Sequence, residues 1–184
     1  VREGREDERI AWSRTLFRFV FGSLNIHGLL HADPHAGNFL FPEGRRVAFL
    51  DFGCVQRFDR TTIDALVGVR HQVLAGLRGE KLRPSLTVAY GLPADLDDEE
   101  WAFLEEYILL CLDPVLVDGG SVFDGSYMDE MADKLLKGNF LLARKAIFKG
   151  VREAKRPGLL YIGRAQLGLA ALLADLGARV DYKQ

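Results

Sequence analysis

Asp51 follows Asn38 by 13 positions, and the interval holds two apolar runs, Phe39-Leu40-Phe41 and Val47-Ala48-Phe49-Leu50, around Pro42-Glu43-Gly44-Arg45-Arg46. Turn residues between two β-prone runs predict a small hairpin. The hairpin places Asn38 just before its first strand and Asp51 just after its second. Two polar segments that would otherwise be separate are thereby tied together.

Those segments are His31-Ala32-Asp33-Pro34-His35-Ala36-Gly37-Asn38 and Leu50-Asp51-Phe52-Gly53. In order they fit the pattern H-x-D-x-x-x-x-N followed by D-F-G, found in kinase-type catalytic loops. Three letters such as D-F-G recur by chance, so the weight lies in the order and the spacing. Phosphoryl transfer asks a protein for positioning and charge stabilisation more than for covalent chemistry. Asp33 stands where a carboxylate would orient the attacking hydroxyl or water and accept its proton late. Asn38 offers an amide oxygen to a magnesium ion without a further negative charge, and Asp51 a carboxylate to the ions that neutralise the nucleotide phosphates. Gly53 permits the tight turn after Asp51, while Pro34 and Gly37 stiffen and bend the loop. His31 reads as a brace, and His35 either packs the loop or hydrogen-bonds behind the metal site. Cys54 reads as a small buried residue behind the turn, and His27 and His71 as structural. The alternation His31, Asp33, His35 also admits a transition-metal reading, but further ligands at familiar spacings are missing.

A chain of 184 residues, 48% hydrophobic and 27% charged, can bury one good core and is too short for two full domains. A single domain over 1–184 is the expectation. The net charge of −2 gives no footprint for nucleic acid. Arg144, Lys145, Lys149, Arg152, Lys155 and Arg156 cluster, and read as a solvated helix face rather than a phosphate or lipid-headgroup patch. Cys54 and Cys111 form no C-x-x-C pair, which excludes a thiolate zinc site and a disulfide framework and suits a reducing compartment. No apolar run reaches the roughly 18 residues of a membrane span. Leu159 to Leu176, the most apolar stretch, carries Arg164, Gln166 and Asp175 and reads as a packed helix. No signal peptide is visible, so a cytoplasmic location is expected. The start at Val1, inside a charged helix-like run, is expected of a piece of a longer protein.

Apolar residues at helical spacing from Ile10 to Leu24 predict a helix over residues 5 to about 25, ended by Gly28 as a left-handed cap. Asp59 is expected to cap a helix to about Leu77, with Ile63, Leu66, Val67, Val73, Leu74 and Leu77 as its buried stripe. Gly91-Leu92-Pro93 breaks the chain, and Asp97 or Asp98 starts a helix through Trp101, Leu104, Tyr107 and Ile108. Pro114 and Gly119-Gly120 mark a loop. Helices are then expected over 126 to 149, with a kink near Gly138, and over 159 to 177. The fold class is therefore mostly α with one small β-hairpin.

The strings H-A-D-P-H-A-G-N-F-L-F and V-A-F-L-D-F-G-C-V closely resemble the UbiB/AarF family of atypical protein-kinase-like proteins, and R-A-Q-L-G-L-A-A-L-L-A-D-L-G-A resembles that family's final helix. The resemblance implies a protein-kinase-like C-terminal lobe from an α+β parent fold. It implies Asp33 as the catalytic-loop aspartate, Asn38 as a magnesium-binding asparagine and Asp51 as the D-F-G aspartate. It further implies Mg2+ and ATP as cofactors, and an isoprenoid lipid or small molecule as acceptor in ubiquinone-type metabolism. A peripheral membrane context is a further implication. The chain departs from the family at Ala36, where the usual residue is Pro. The K-x-G-Q signature and the lysine-bearing strand are also missing, so the N-terminal lobe is expected to lie outside this chain and the isolated fragment to be nearly inactive. Two alternatives stand beside this reading. One is an aminoglycoside/choline kinase-like phosphotransferase; the other is a non-catalytic, pseudokinase-type module that binds lipid or a partner.

Overall fold

Three acidic residues, Glu6, Asp7 and Glu8, open the first helix, where carboxylates meet the positive end of the helix dipole. In the computed structural model, which describes residues 4–92, 95–134, 136–137 and 159–183, this helix is α1 (Glu6–Phe17). It continues through a π-helical turn, Arg18–Gly22, into α2 (Ser23–His27). Trp12, Leu16, Val20 and Leu24 are its buried row. An α-helix advances 100° per residue, so a four-residue spacing drifts by about 40° at each step. The wider π turn absorbs that drift and keeps the row on the core. Gly28 then ends the helix at φ 66°, as expected.

Next come β1 (Leu29–His31), β2 (Phe39–Leu40), β3 (Ala48–Phe49) and β4 (Val55–Arg57). β2 and β3 form the expected hairpin. β1 pairs antiparallel with β4, and this second pair was not expected. Each of its strands is three residues long, too short to display an alternating pattern.

The helical remainder begins with α3 (Arg60–Leu74), capped by Asp59, whose Oδ1 accepts from Thr62 N at 2.7 Å. Ile63, Val69 and Val73 are buried; Leu74, expected in that stripe, is 51% exposed because the helix ends there rather than at Leu77. α4 (Arg83–Tyr90), which the sequence reading left out, follows with Leu86 and Ala89 buried, and Gly91 closes it at φ 62°. α5 (Asp98–Leu116) starts in a reciprocal cap, with Glu100 N donating to Asp97 Oδ1 and Asp97 N to Glu100 Oε2, both at 2.9 Å.

Pro114 corrects an expectation: it lies buried in the last turn of α5, not in a loop. Proline has no N–H, so the carbonyl four residues back loses its helix donor. Tyr127 Oη donates to that carbonyl, Leu110 O, at 3.1 Å and makes the proline tolerable. The loop itself falls at Gly119 and Gly120, φ 85° and 87°. Tyr127 belongs to α6, helical over 125–134 and capped by Asp124. The rest of the helix expected to 149, its kink near Gly138 and the basic cluster lie outside the described residues, as does Pro93. α7 (Leu159–Leu176) ends at Gly177, φ 58°.

One buried cluster joins α1, the π turn, α2, β1 and α7 through Leu16, Val20, Leu24, Leu30, Leu169 and Leu173. A second joins α3, α4 and α5 through Val69, Val73, Leu82, Leu86, Trp101 and Ile108. Leu66 packs against both. No helix among the described residues is long and apolar enough to cross a membrane.

Burial also sets an alkaline limit on stability. It raises the phenol pKa values of Tyr90, Tyr107, Tyr127 and Tyr182, and pushes the Cys111 thiol up to about 12. These groups stay protonated in the fold, whereas the unfolded chain releases their protons from the ordinary values of 9.0 for Cys and 10.0 for Tyr. The unfolded state thus binds fewer protons above about pH 9, and stability must fall as pH rises. Urea midpoints measured between about pH 8 and pH 10.5 are expected to drop, most steeply above about pH 10. A flat profile would show these groups to be accessible.

Candidate functional site

The two strand pairs end beside one another, and their registers assemble the polar residues. Phe39 stands opposite Phe49, and Leu50 N donates to Asn38 O at 3.0 Å, so Asn38 sits across from Leu50 and one residue from Asp51. His31 stands opposite Val55, and Ala32 N donates to Cys54 O at 2.9 Å, which carries Asp33 to the level of Gly53. Asp33, Asn38 and Asp51 are thus brought together at one end of both ladders.

His31, buried, ties the two segments directly: its Nε2 lies 2.7 Å from Asp51 O. A carbonyl only accepts, so Nε2 is the donor. Nδ1 is buried with no hydrogen-bond partner among the described residues. Aromatic rings surround this imidazole: Phe19 from the π turn at 5.7 Å, Phe39 at 6.0 Å and Phe52 at 6.2 Å between centroids. Phe19 also stacks on Phe49 at 3.9 Å.

The loop from Asp33 to Asn38 is shaped by its own hydrogen bonds. His35 Nδ1 accepts from Gly37 N at 3.1 Å and starts a short 3-10 turn, Ala36–Asn38. Asn38 is buried, and its Nδ2 donates to Asp33 O at 2.9 Å. That bond fixes which end of the amide is oxygen, leaving Oδ1 as the acceptor. Asp51 is exposed, and its Oδ1 accepts from Gly53 N at 2.7 Å. Gly53 does not have a positive φ. Its smallness serves a close approach, since a Cβ there would stand 3.0 Å from Asp51 Oδ1.

Asp33 has a partner that the sequence reading did not anticipate. Arg164 of α7 donates from Nη2 to Asp33 Oδ1 at 2.6 Å. This hydrogen bond, with help from the guanidinium charge and from His35 and His31, holds the Asp33 carboxyl below the usual carboxylate range against a smaller opposing effect of burial. His35 Nε2 lies 3.7 Å from the other oxygen, Oδ2. The one signal for Arg164 in the sequence is that it interrupts a mostly apolar helix, which announces a charge but not what that charge faces.

Asn38 and Asp51 fit magnesium. They offer one amide and one carboxylate oxygen, and magnesium usually takes one or two carboxylates from the protein and fills its remaining positions with water and phosphate. The alternating-histidine reading lacks a ligand set: among the described residues no group of three or more His, Cys, Asp or Glu is placed to hold a metal.

Three comparisons bear on the chain's kinship. An uncharacterized protein of Synechocystis is 45% identical over 47 residues, 26% of this chain and 12% of that protein. An uncharacterized protein of Mycobacterium tuberculosis is 47% identical over 47 residues, 26% of this chain and 9% of that protein. The match thus spans about a tenth of the length of these curated relatives. His31, Asp33, His35, Asn38, Asp51 and Gly53 all lie within residues 3–76, which match the family model of the ABC1 atypical kinase-like domain and support kinship with the UbiB/ABC1 family.

Proposed function

We propose that this chain is the C-terminal, magnesium- and acceptor-facing lobe of a UbiB-like atypical kinase or ATPase that binds Mg-ATP and acts on isoprenoid-lipid or other small-molecule substrates. The observation that carries the reading is the convergence of Asp33, Asn38 and Asp51 through two strand registers, braced by the His31–Asp51 bond. In this reading Asn38 and Asp51 hold magnesium, which would supply the positive charge that nucleotide phosphates require. Asp33 orients the attacking hydroxyl or water and takes its proton late. His31 keeps the Asp51 backbone fixed relative to the catalytic loop. A small acceptor is favoured over a peptide because α3 begins at Arg60, leaving only a short segment after Gly53 for docking an extended chain.

The test is Asp51→Asn in the longest form of the protein that can be expressed, with magnesium-dependent binding of a non-hydrolysable ATP analogue followed by calorimetry. Removing the carboxylate charge is expected to weaken that binding about tenfold or more, a loss of at least about 1.4 kcal/mol. Equal affinity in the two proteins would sink the proposal.

A further inference from the structure

We propose that Arg164 is the positioning residue for Asp33: delivered from α7, it fixes one carboxylate oxygen so that the other is presented to the acceptor hydroxyl. The inference rests on the reading of Asp33 as the acceptor-orienting residue.

The backbone of Asp33 is already held, because its carbonyl accepts from Asn38 Nδ2 and from His35 N, each at 2.9 Å. Its side chain is not held in that way. Among the described residues, Arg164 Nη2 is the hydrogen-bond donor to the carboxylate, at Oδ1. His35 Nε2, 3.7 Å from Oδ2, stands beyond hydrogen-bonding distance. Oδ2 is therefore the oxygen left for a substrate hydroxyl.

The reach of Arg164 is built into the packing of α7. Gly168, one helical turn on and so on the same face, lies against the loop: a Cβ there would stand 3.1 Å from Pro34 O and 3.4 Å from Pro34 Cγ. Pro34 directly follows Asp33. Ala165 and Leu169 are buried in the main core and set the rotation of the helix. Close approach at Gly168 and fixed rotation together bring a side chain from 131 residues away onto Oδ1.

A stabilising role explains the pair less well. The two side chains are 59% and 33% exposed, and exposed ion pairs add little to a fold. Among the described residues, the charged and titratable groups facing Asp33 are Arg164 from α7 and His35 and His31 from its own segment.

The experiment compares Arg164→Gln, Arg164→Lys and Asp33→Asn in the longest form that turns over nucleotide, reading kcat and KM for Mg-ATP separately. For Arg164→Gln the expected result is a fall in kcat of about tenfold with an unchanged KM. Arg164→Lys should restore only part of kcat, because an ammonium supplies the charge without the planar fork. An inactive Asp33→Asn beside an Arg164→Gln with unaltered kcat would overturn the inference and leave the proposed function standing. An Asp33→Asn that retains full turnover would remove the reading beneath it and the inference together.

Discussion

Asp33→Asn is expected to leave Mg-ATP affinity at the wild-type level and to lower turnover by about 10²–10⁴-fold, the usual contribution of a positioned acid–base group. The substitution preserves shape. The main-chain carbonyl of residue 33 would still accept from Asn38 Nδ2, so the Asn38 amide keeps its orientation. The amide oxygen of Asn can still accept from Arg164, but it cannot take a proton from a substrate. The loss should therefore fall on kcat with KM for nucleotide unchanged, the mark of an interaction made in the transition state. Asp51→Asn should do the reverse and strike at nucleotide binding first. Equal behaviour of the two variants in both measurements would contradict the division of labour assigned to these carboxylates.

Gly28→Ala is expected to lower stability by roughly 2–4 kcal/mol, combining left-handed strain with a backbone collision. Gly28 sits at φ 66°, and a Cβ there would come within 2.6 Å of Phe58 O. That oxygen is backbone and cannot swing aside. Phe58 N in turn donates to Gly28 O at 2.8 Å, so relieving the clash would pull at the first rung beyond β1 and β4. The measurement is a urea titration of both proteins. A shifted midpoint with an unchanged slope identifies a stability effect on the folded state. A difference below about half a kcal/mol would show that the junction can move freely.

How much of this was legible in the residues follows from how local each feature is. The cap at Gly28, the hairpin at 39–50 and the starts of α3 and α5 were readable, because each depends on residues within one turn of one another. The β1–β4 pair was not: its strands are short, and their partnership exists only through contacts across 20-odd positions. α4 escaped notice because it is eight residues long and only Leu86 and Ala89 are buried along it. Pro114 was misread because its tolerance depends on a tyrosine from another helix. At the site, the members carried by Asp33, Asn38 and Asp51 were visible as spacing. Arg164 was not, since a lone arginine on an apolar helix announces its charge but not what it faces.

The π turn at Arg18–Gly22 has a consequence for how this site can be tuned. It works as a fixed amount of winding let into an otherwise continuous rod. Upstream, Trp12 is anchored to the hairpin turn, its Nε1 donating to Gly44 O at 3.2 Å. Downstream, the same rod leads through Gly28 directly into β1 and His31. Winding the turn as ordinary α-helix with its residue count unchanged would spin everything beyond it by about 100° relative to α1. The imidazole that fixes Asp51 would then be turned out of phase with it, although every polar side chain of the site remained in the sequence.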